Sequence, residues 1–334
     1  MQIEKNEYNL LKDGPFIIAE VGINHNGDIE LAKKTIKKAH ECGASAIKIQ
    51  TFRADTMCSK SSTYYDLFKK CELSEFDIEI LNSLCNKLNI FLFTTVFDKW
   101  AVDTWIKFNP KLIKIASGDI THIPLIKYVA SKGIPIILST GGSSLKEIEV
   151  ALETIYSENK KQDVYILHCV SNYPTKPEDA NLNCMHEIKE KFNLPVGFSD
   201  HTEGNIVSIA AVASGALIIE KHFTLDKNLD GPDHKLSSNP EEFIELVRDL
   251  KTVYYARGSK HKKPVEDLNF IKEIRRSISA SVNIAKGSII DKSMIVIRRP
   301  GHGIQPKDIG VVLGSKVIKD IKAEEVIQWE YIEK

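Results

Sequence analysis

Short apolar runs recur along the first two thirds of the chain, separated by longer stretches in which apolar residues return with helical spacing. The runs are Phe16–Glu20, Ala46–Thr51, Ile90–Thr95, Leu112–Ile115, Pro135–Thr140, Val164–Cys169, Pro195–Phe198 and Ala216–Ile219. Bounded by turn residues, they read as buried strands. The intervening stretches read as helices: one behind an Asp28 N-cap with Leu31, Ile36 and Ala39 on one face, one near 98–108, and one from about Gly204 to Ser214. Eight strands, each followed by a helical segment, predict a (β/α)8 barrel of the α/β class over residues 1–257. A doubly wound open sheet is the competing arrangement. It usually has fewer strands, and it needs a phosphate-binding loop after its first strand that this chain lacks.

The pattern changes after Ala256-Arg257-Gly258. Residues 258–275 are charged and contain Pro264, as a linker or connecting arm would. From Arg276 the chain shows short alternating strands, Ser277–Ala280 and Ile295–Pro300, a turn at Ala285-Lys286-Gly287, and a last segment around Val326-Ile327. Residues 276–334 are therefore expected to form a second, small domain.

Composition narrows the function classes. Lysine plus arginine and aspartate plus glutamate both total 45 in 334 residues, so net charge gives no attraction to nucleic acid. No apolar run approaches the ~20 residues of a membrane-spanning helix. The six cysteines form no CxxC pair and the N-terminus does not resemble a signal peptide, so free thiols and a cytoplasmic location are expected.

In a (β/α)8 barrel the chemistry sits at the C-terminal ends of the strands. Reading those ends in order gives Glu20, Lys48, Thr95, Lys114 with Ser117, Ser139 with Thr140, His168 with Ser171, Ser199 to His201, and Glu220 with His222. Lys48 and Lys114 each lie between two isoleucines, and a buried lysine needs an anionic partner. Together with the hydroxyls they point to a phosphate or carboxylate site. His201 and His222 end neighbouring strands beside Asp200 and Glu220, which suggests either a divalent metal or an acid–base pair. Asn24-His25-Asn26-Gly27 reads first as a tight turn, and Cys169 as an inert packed thiol.

At these same positions the chain resembles the sialic acid synthase family, which condenses phosphoenolpyruvate with an N-acetylated amino sugar. The matching segments include Ile18–Gly27, Ile47–Thr51, Lys114–Gly118, Leu138–Gly141, Tyr173–Thr175, Ser199–Thr202, Glu220–Asp226, Gly231–His234 and Arg299–Gly301, in order along nearly the whole chain. The resemblance implies a TIM (β/α)8 barrel followed by an antifreeze-like (SAF, β-clip) domain. It also implies that His201 and His222 bind a divalent metal, Mn2+ first with Mg2+ or Co2+ as alternatives. Lys48, Thr95, Lys114, Ser117, Ser139 and Ser199 match positions that hold phosphoenolpyruvate, with Ser171 and Tyr173 beside them. Glu20, Glu220 and Asp233 match carboxylates that handle the sugar or protons. Arg299 matches an arginine that the small domain of a second subunit inserts into the sugar site, which implies a domain-swapped homodimer.

The resemblance makes N-acetylneuraminate, formed from N-acetylmannosamine, the first expected product. Legionaminic or pseudaminic acid, from a 2,4-diacetamido-2,4,6-trideoxyhexose, is the nearest variant. A Schiff-base aldolase using Lys48 or Lys114, and a barrel that binds sugar without turnover, are the expectations from other classes. Departures from the family pattern fall at Ser171, at Thr95-Val96-Phe97, at Gly142, and in the stretch from Thr51 to Glu72, which is shorter than in many members and frames the sugar pocket.

Overall fold

The computed structural model describes residues 14–259 and 261–333. The chain divides into two units, Met1–Gly258 and Ser259–Lys334.

The first unit is a closed barrel of eight parallel strands in chain order. They are β1 (Phe16–Gly22), β2 (Ala46–Thr51), β3 (Phe91–Val96), β4 (Ile113–Ile115), β5 (Ile136–Ser139), β6 (Val164–Cys169), β7 (Val196–Asp200) and β8 (Ile218–His222). Pairing of β1 with β8, Phe16 opposite Ile218 and Glu20 opposite His222, closes the ring and leaves no free edge. All seven residues of β1 and all five of β7 and of β8 are buried. That fits strands covered on both faces, and it explains why they read as continuous apolar runs rather than alternating ones.

Around the ring lie α1 (Ile29–Glu41), α2 (Ala54–Met57), α3 (Tyr65–Cys71), α4 (Glu75–Leu88), α5 (Lys99–Ile106), α6 (Ile123–Ala130), α7 (Leu145–Glu158), α8 (Cys184–Phe192), α9 (Ile206–Ala213) and α10 (Pro240–Ala256). Their starts are written in the sequence. Asp28 caps α1 by accepting from the Glu30 and Leu31 amides, and Ser74 with Asp77, Ser144 with Glu147, and Asn239 with Glu242 form capping boxes. In α1 the residues Ala32, Thr35, Ile36 and Ala39 face the barrel. The stretch from Thr51 to Glu72 folds into two short helices over a satellite core of Ile23, Phe52 and Cys71 with Met57, Leu67, Phe68 and Phe97 packed against it.

The second unit has its own core, including Ile278, Ile284, Ile290, Ile304, Val317, Ile327 and Ile332. Strand β9 (Ser277–Ala280) pairs antiparallel with β10 (Ile295–Arg298), and β11 (Lys316–Val317) with β12 (Ile332–Glu333). The sequence reading differs in two places. The stretch 258–275, taken as a linker, contains a helix, α11 (Leu268–Ile274), which Asp267 caps through the Asn269 and Phe270 amides. The last two strands were not foreseen, because two-residue strands carry too little periodicity to stand out; Val326 makes only an isolated bridge to Ser279.

All six cysteines are unpaired, and among the described residues no helix is long and apolar enough to cross a membrane.

The contact between β7 and β8 requires a glycine. A Cβ on Gly197 would lie 2.4 Å from the Ile218 carbonyl oxygen and 2.6 Å from a Leu167 methyl. Gly197→Ala should therefore lose about 1–3 kcal/mol, the usual cost of overpacking. The check is the urea midpoint for loss of the barrel's circular dichroism. An unchanged midpoint contradicts the close approach.

Candidate active site

A cavity of about 400 Å3 opens at the C-terminal ends of the barrel strands. Thirteen of the fourteen residues that the resemblance assigns to the site line it: Glu20, Lys48, Thr95, Lys114, Ser117, Ser139, Ser171, Tyr173, Ser199, His201, Glu220, His222 and Asp233. The fourteenth, Arg299, belongs to the second unit, where it follows β10 and precedes Pro300 in a cis peptide bond.

Strand alternation and parallel register bring the charged groups together. Lys48 on β2 stands opposite Glu20 on β1, and Ser199 on β7 opposite Glu220 on β8. Lys48 Nζ lies 2.9 Å from Glu20 Oε2 and 3.4 Å from Glu220 Oε1, and it donates to Thr95 Oγ1 at 3.0 Å. Lys114 Nζ is 3.5 Å from Glu220 Oε2, beyond normal hydrogen-bond length. Ser199 donates to Glu220 Oε1 at 3.0 Å, and Gln50 Nε2 to Glu20 Oε1 at 3.0 Å. Lys48 and Lys114 are each only 3% exposed, so the four charges compensate one another out of contact with bulk water.

Burial acts differently on each group. For Glu220 the desolvation cost is outweighed by Lys114 and Lys48, which hold the carboxyl down at about 2. Glu20 moves upward, because burial outweighs the pull of Lys48 and the Glu220 charge adds to it. Lys48 is raised because its two carboxylates overcome burial. Lys114 is lowered, since burial dominates and Glu220 compensates only in part. The cavity thus holds one carboxyl pushed toward the neutral form and one fixed as the anion, an arrangement suited to proton transfer beside a bound anion.

The two histidines meet as their place on neighbouring strands implies, with ring centroids 5.5 Å apart. Tyr173 lies over His201 at 4.1 Å between centroids and meets His222 edge-on at 5.9 Å. His201 Nδ1 is 2.7 Å from the Val170 carbonyl, a contact made by donating Nδ1–H, which leaves a lone pair on Nε2. His222 Nδ1 is buried with no hydrogen-bond partner among the described residues, 3.8 Å from Asp233 Oδ2, and burial lowers the pKa of the ring. Two adjacent imidazoles, one with an orphaned buried nitrogen, suit a divalent ion. Among the described residues no group of three or more His, Cys, Asp or Glu side chains is clustered to bind metal. His201 and His222 could supply two ligands, and the remaining positions would fall to substrate and water.

Other assignments change. His168 is not on the cavity: its Nε2 reaches the Ala180 carbonyl at 2.8 Å and its ring packs on Phe198, since it alternates outward on β6. Cys169, read as an inert core thiol, lines the cavity with Sγ 3.7 Å from His201 Nδ1. Gln50 was not singled out, although it shares the inward face of β2 with Lys48, two residues away. Asn24 holds loops rather than a cavity wall, donating to the Phe223 carbonyl and to Ser237 Oγ at 2.9 Å each. Ile23, Met57, Leu67, Phe68 and Phe97 give the cavity an apolar wall that strand-end reading could not find. For Met57, Leu67 and Phe68 the signal lay in the short apolar spacings between β2 and α4.

Comparison with known proteins identifies the architecture. The NeuB family model matches residues 35–262 and the SAF domain model residues 275–333. The N,N'-diacetyllegionaminic acid synthase of Legionella pneumophila is 42% identical over 95% of this chain and 94% of its own. Human N-acetylneuraminate-9-phosphate synthase is 31% identical over 95% and 92%. Among solved structures, the N-acetylneuraminic acid synthetase of Leptospira borgpetersenii serovar Hardjo-bovis, in complex with citrate, superposes with a TM-score of 0.73 at 37% identity, covering 75% of this chain and 87% of that one. The chain therefore belongs to the NeuB family, the sialic acid synthase family of carbon–carbon bond-forming transferases that use phosphoenolpyruvate, and it carries a SAF domain at its C-terminal end.

Proposed function

We propose that the protein condenses phosphoenolpyruvate with an unphosphorylated, N-acetylated 6-deoxy amino sugar, a 2,4-diacetamido-2,4,6-trideoxyhexose, releasing phosphate and a legionaminic-type sugar acid. The observation that carries this choice is the cavity wall of Ile23, Met57, Leu67, Phe68 and Phe97. Such a wall suits the methyl of a deoxy carbon and the methyl of an acetamido group. It offers nothing to a sugar phosphate, and the lysines of the cavity, Lys48 and Lys114, are taken up by phosphoenolpyruvate in this reading. The 42% identity to the Legionella enzyme supports the same choice over 37% for the Leptospira synthetase and 31% for the human phosphate-sugar enzyme. N-acetylmannosamine, the first expectation from sequence, becomes the second reading.

In the proposed reaction Lys48, Lys114, Thr95, Ser117, Ser139 and Ser199 hold the phosphate and carboxylate of phosphoenolpyruvate, with Ser171 at the margin. The buried Ser139 hydroxyl has no hydrogen-bond partner among the described residues, which suits it to a ligand oxygen. Fixing these groups orients the enol carbon toward the sugar aldehyde, an advantage free reactants lack. Glu20 exchanges the proton of the aldehyde oxygen or of the attacking water, and Glu220 keeps the lysines charged. Asp233 and Tyr173 bound the sugar beside the histidines. A divalent ion held by His201 and His222, Mn2+ before Mg2+ or Co2+, would supply Lewis-acid polarisation of the aldehyde. Water completes the reaction at the pyruvyl carbon, and phosphate leaves.

The test is phosphate release from phosphoenolpyruvate across a panel of amino sugars, with Mn2+ and after chelation. The expected result is a higher kcat/KM with the diacetamido trideoxy sugar than with N-acetylmannosamine or its 6-phosphate, lost on chelation and restored by Mn2+. A preference for the phosphorylated sugar overturns the substrate choice, and unchanged rates after chelation overturn the metal.

Arg299 is assigned to the sugar site of a second subunit in a domain-swapped homodimer. Mixing Arg299→Ala with His201→Ala protein should then restore on the order of one quarter of the wild-type rate, because half of random dimers carry one complete site. No restoration in verified mixed dimers contradicts the swap.

A further inference from the structure

Behind the two histidines lies a second ion pair that the proposed chemistry does not use. Asp200 immediately precedes His201 and Lys221 immediately precedes His222, and the two stand opposite each other in the β7–β8 register. Strand alternation turns them to the outer face of the barrel, while Ser199, Glu220 and the histidines line the cavity. They are 0% and 1% exposed, and Lys221 Nζ donates to Asp200 Oδ2 at 3.0 Å. Ser208 of α9 donates to the same oxygen at 2.5 Å.

The remaining contacts of the pair fall on the residue after His201. Asp200 Oδ1 accepts from the Thr202 amide at 2.8 Å, and Lys221 Nζ donates to the Thr202 carbonyl at 2.5 Å. The backbone leaving His201 is therefore held by one charge from each strand, and the same lysine is bonded in chain to His222. A buried ion pair is a poor device for stability alone, since packed apolar side chains of similar size serve as well or better. What the pair supplies here is a fixed relation between the ends of two strands.

We infer that Asp200 and Lys221 are positioning residues that set the relative placement of the His201 and His222 imidazoles, and so the affinity for a divalent cation. The inference rests on the metal reading above. Outer residues of this kind typically change metal affinity by about 10- to 100-fold.

The experiment is Mn2+ titration of the full-length, metal-stripped protein without substrates, following free Mn2+ by electron paramagnetic resonance. It compares wild type, His201→Ala, Lys221→Met, and the uncharged combination Asp200→Asn with Lys221→Met, which leaves no unpaired buried charge if the single variant fails to fold. The expected result is that Kd for Mn2+ rises at least about tenfold in the pair variants, while KM for phosphoenolpyruvate, set by the lysine side of the cavity, changes little. Mn2+ binding that is lost in His201→Ala but stays within about twofold of wild type in the folded pair variants overturns the inference alone, well short of the expected change. Binding that His201→Ala leaves intact overturns the metal reading, and the inference with it. A fall in thermal stability without a change in Kd assigns the pair a structural role and likewise overturns it.

Discussion

Four buried charges at one end of a closed barrel set the terms for everything around them. Lys48, Lys114, Glu20 and Glu220 sit together with almost no access to water, and each alone would cost several kcal/mol to bury. They coexist because the lysine nitrogens lie within 2.9 to 3.5 Å of the carboxylate oxygens. The balance is not symmetrical. Glu220 serves both lysines and stays ionised, whereas Glu20 is pushed toward the proton-bearing form. A site assembled this way is already ordered before substrate arrives, and an incoming anion meets lysines whose charge is only partly satisfied.

The barrel is what makes such a cluster attainable. Parallel register places Glu20 opposite Lys48 and Ser199 opposite Glu220, so residues distant in sequence arrive at one depth without any loop having to position them. The contact at Gly197, where a methyl group would strike the Ile218 carbonyl, keeps β7 and β8 close enough for their inward and outward pairs to form. Glu220 and the histidines project into the cavity and Asp200 with Lys221 away from it, two consequences of one alternation.

Most of this was legible in the chain. The strands were visible because parallel strands buried on both faces read as unbroken apolar runs, and the rim followed from the rule that strand ends carry the chemistry. Lys48 and Lys114 declared themselves by sitting between isoleucines. What the sequence hid has physical reasons. His168 looked equivalent to its neighbours, but a one-residue change of parity on β6 turns it to the Ala180 carbonyl. The apolar wall from Met57 to Phe68 lies on two short helices whose spacing is too brief to separate from loop. α11 was lost inside a charged stretch, although Asp267 marks its start. The two-residue strands of the small unit have no period to detect.

If Glu220 holds the lysine side of the cavity in readiness as an anion site, phosphoenolpyruvate should bind there without the sugar. Calorimetric titration of phosphoenolpyruvate into sugar-free protein tests it most directly, with Lys114→Met and Glu220→Gln compared against wild type. Losing a charged hydrogen bond should weaken binding at least about tenfold in Lys114→Met. Glu220→Gln removes the carboxylate that keeps the two lysines charged and should weaken binding as well. Undiminished affinity in either variant would contradict the account.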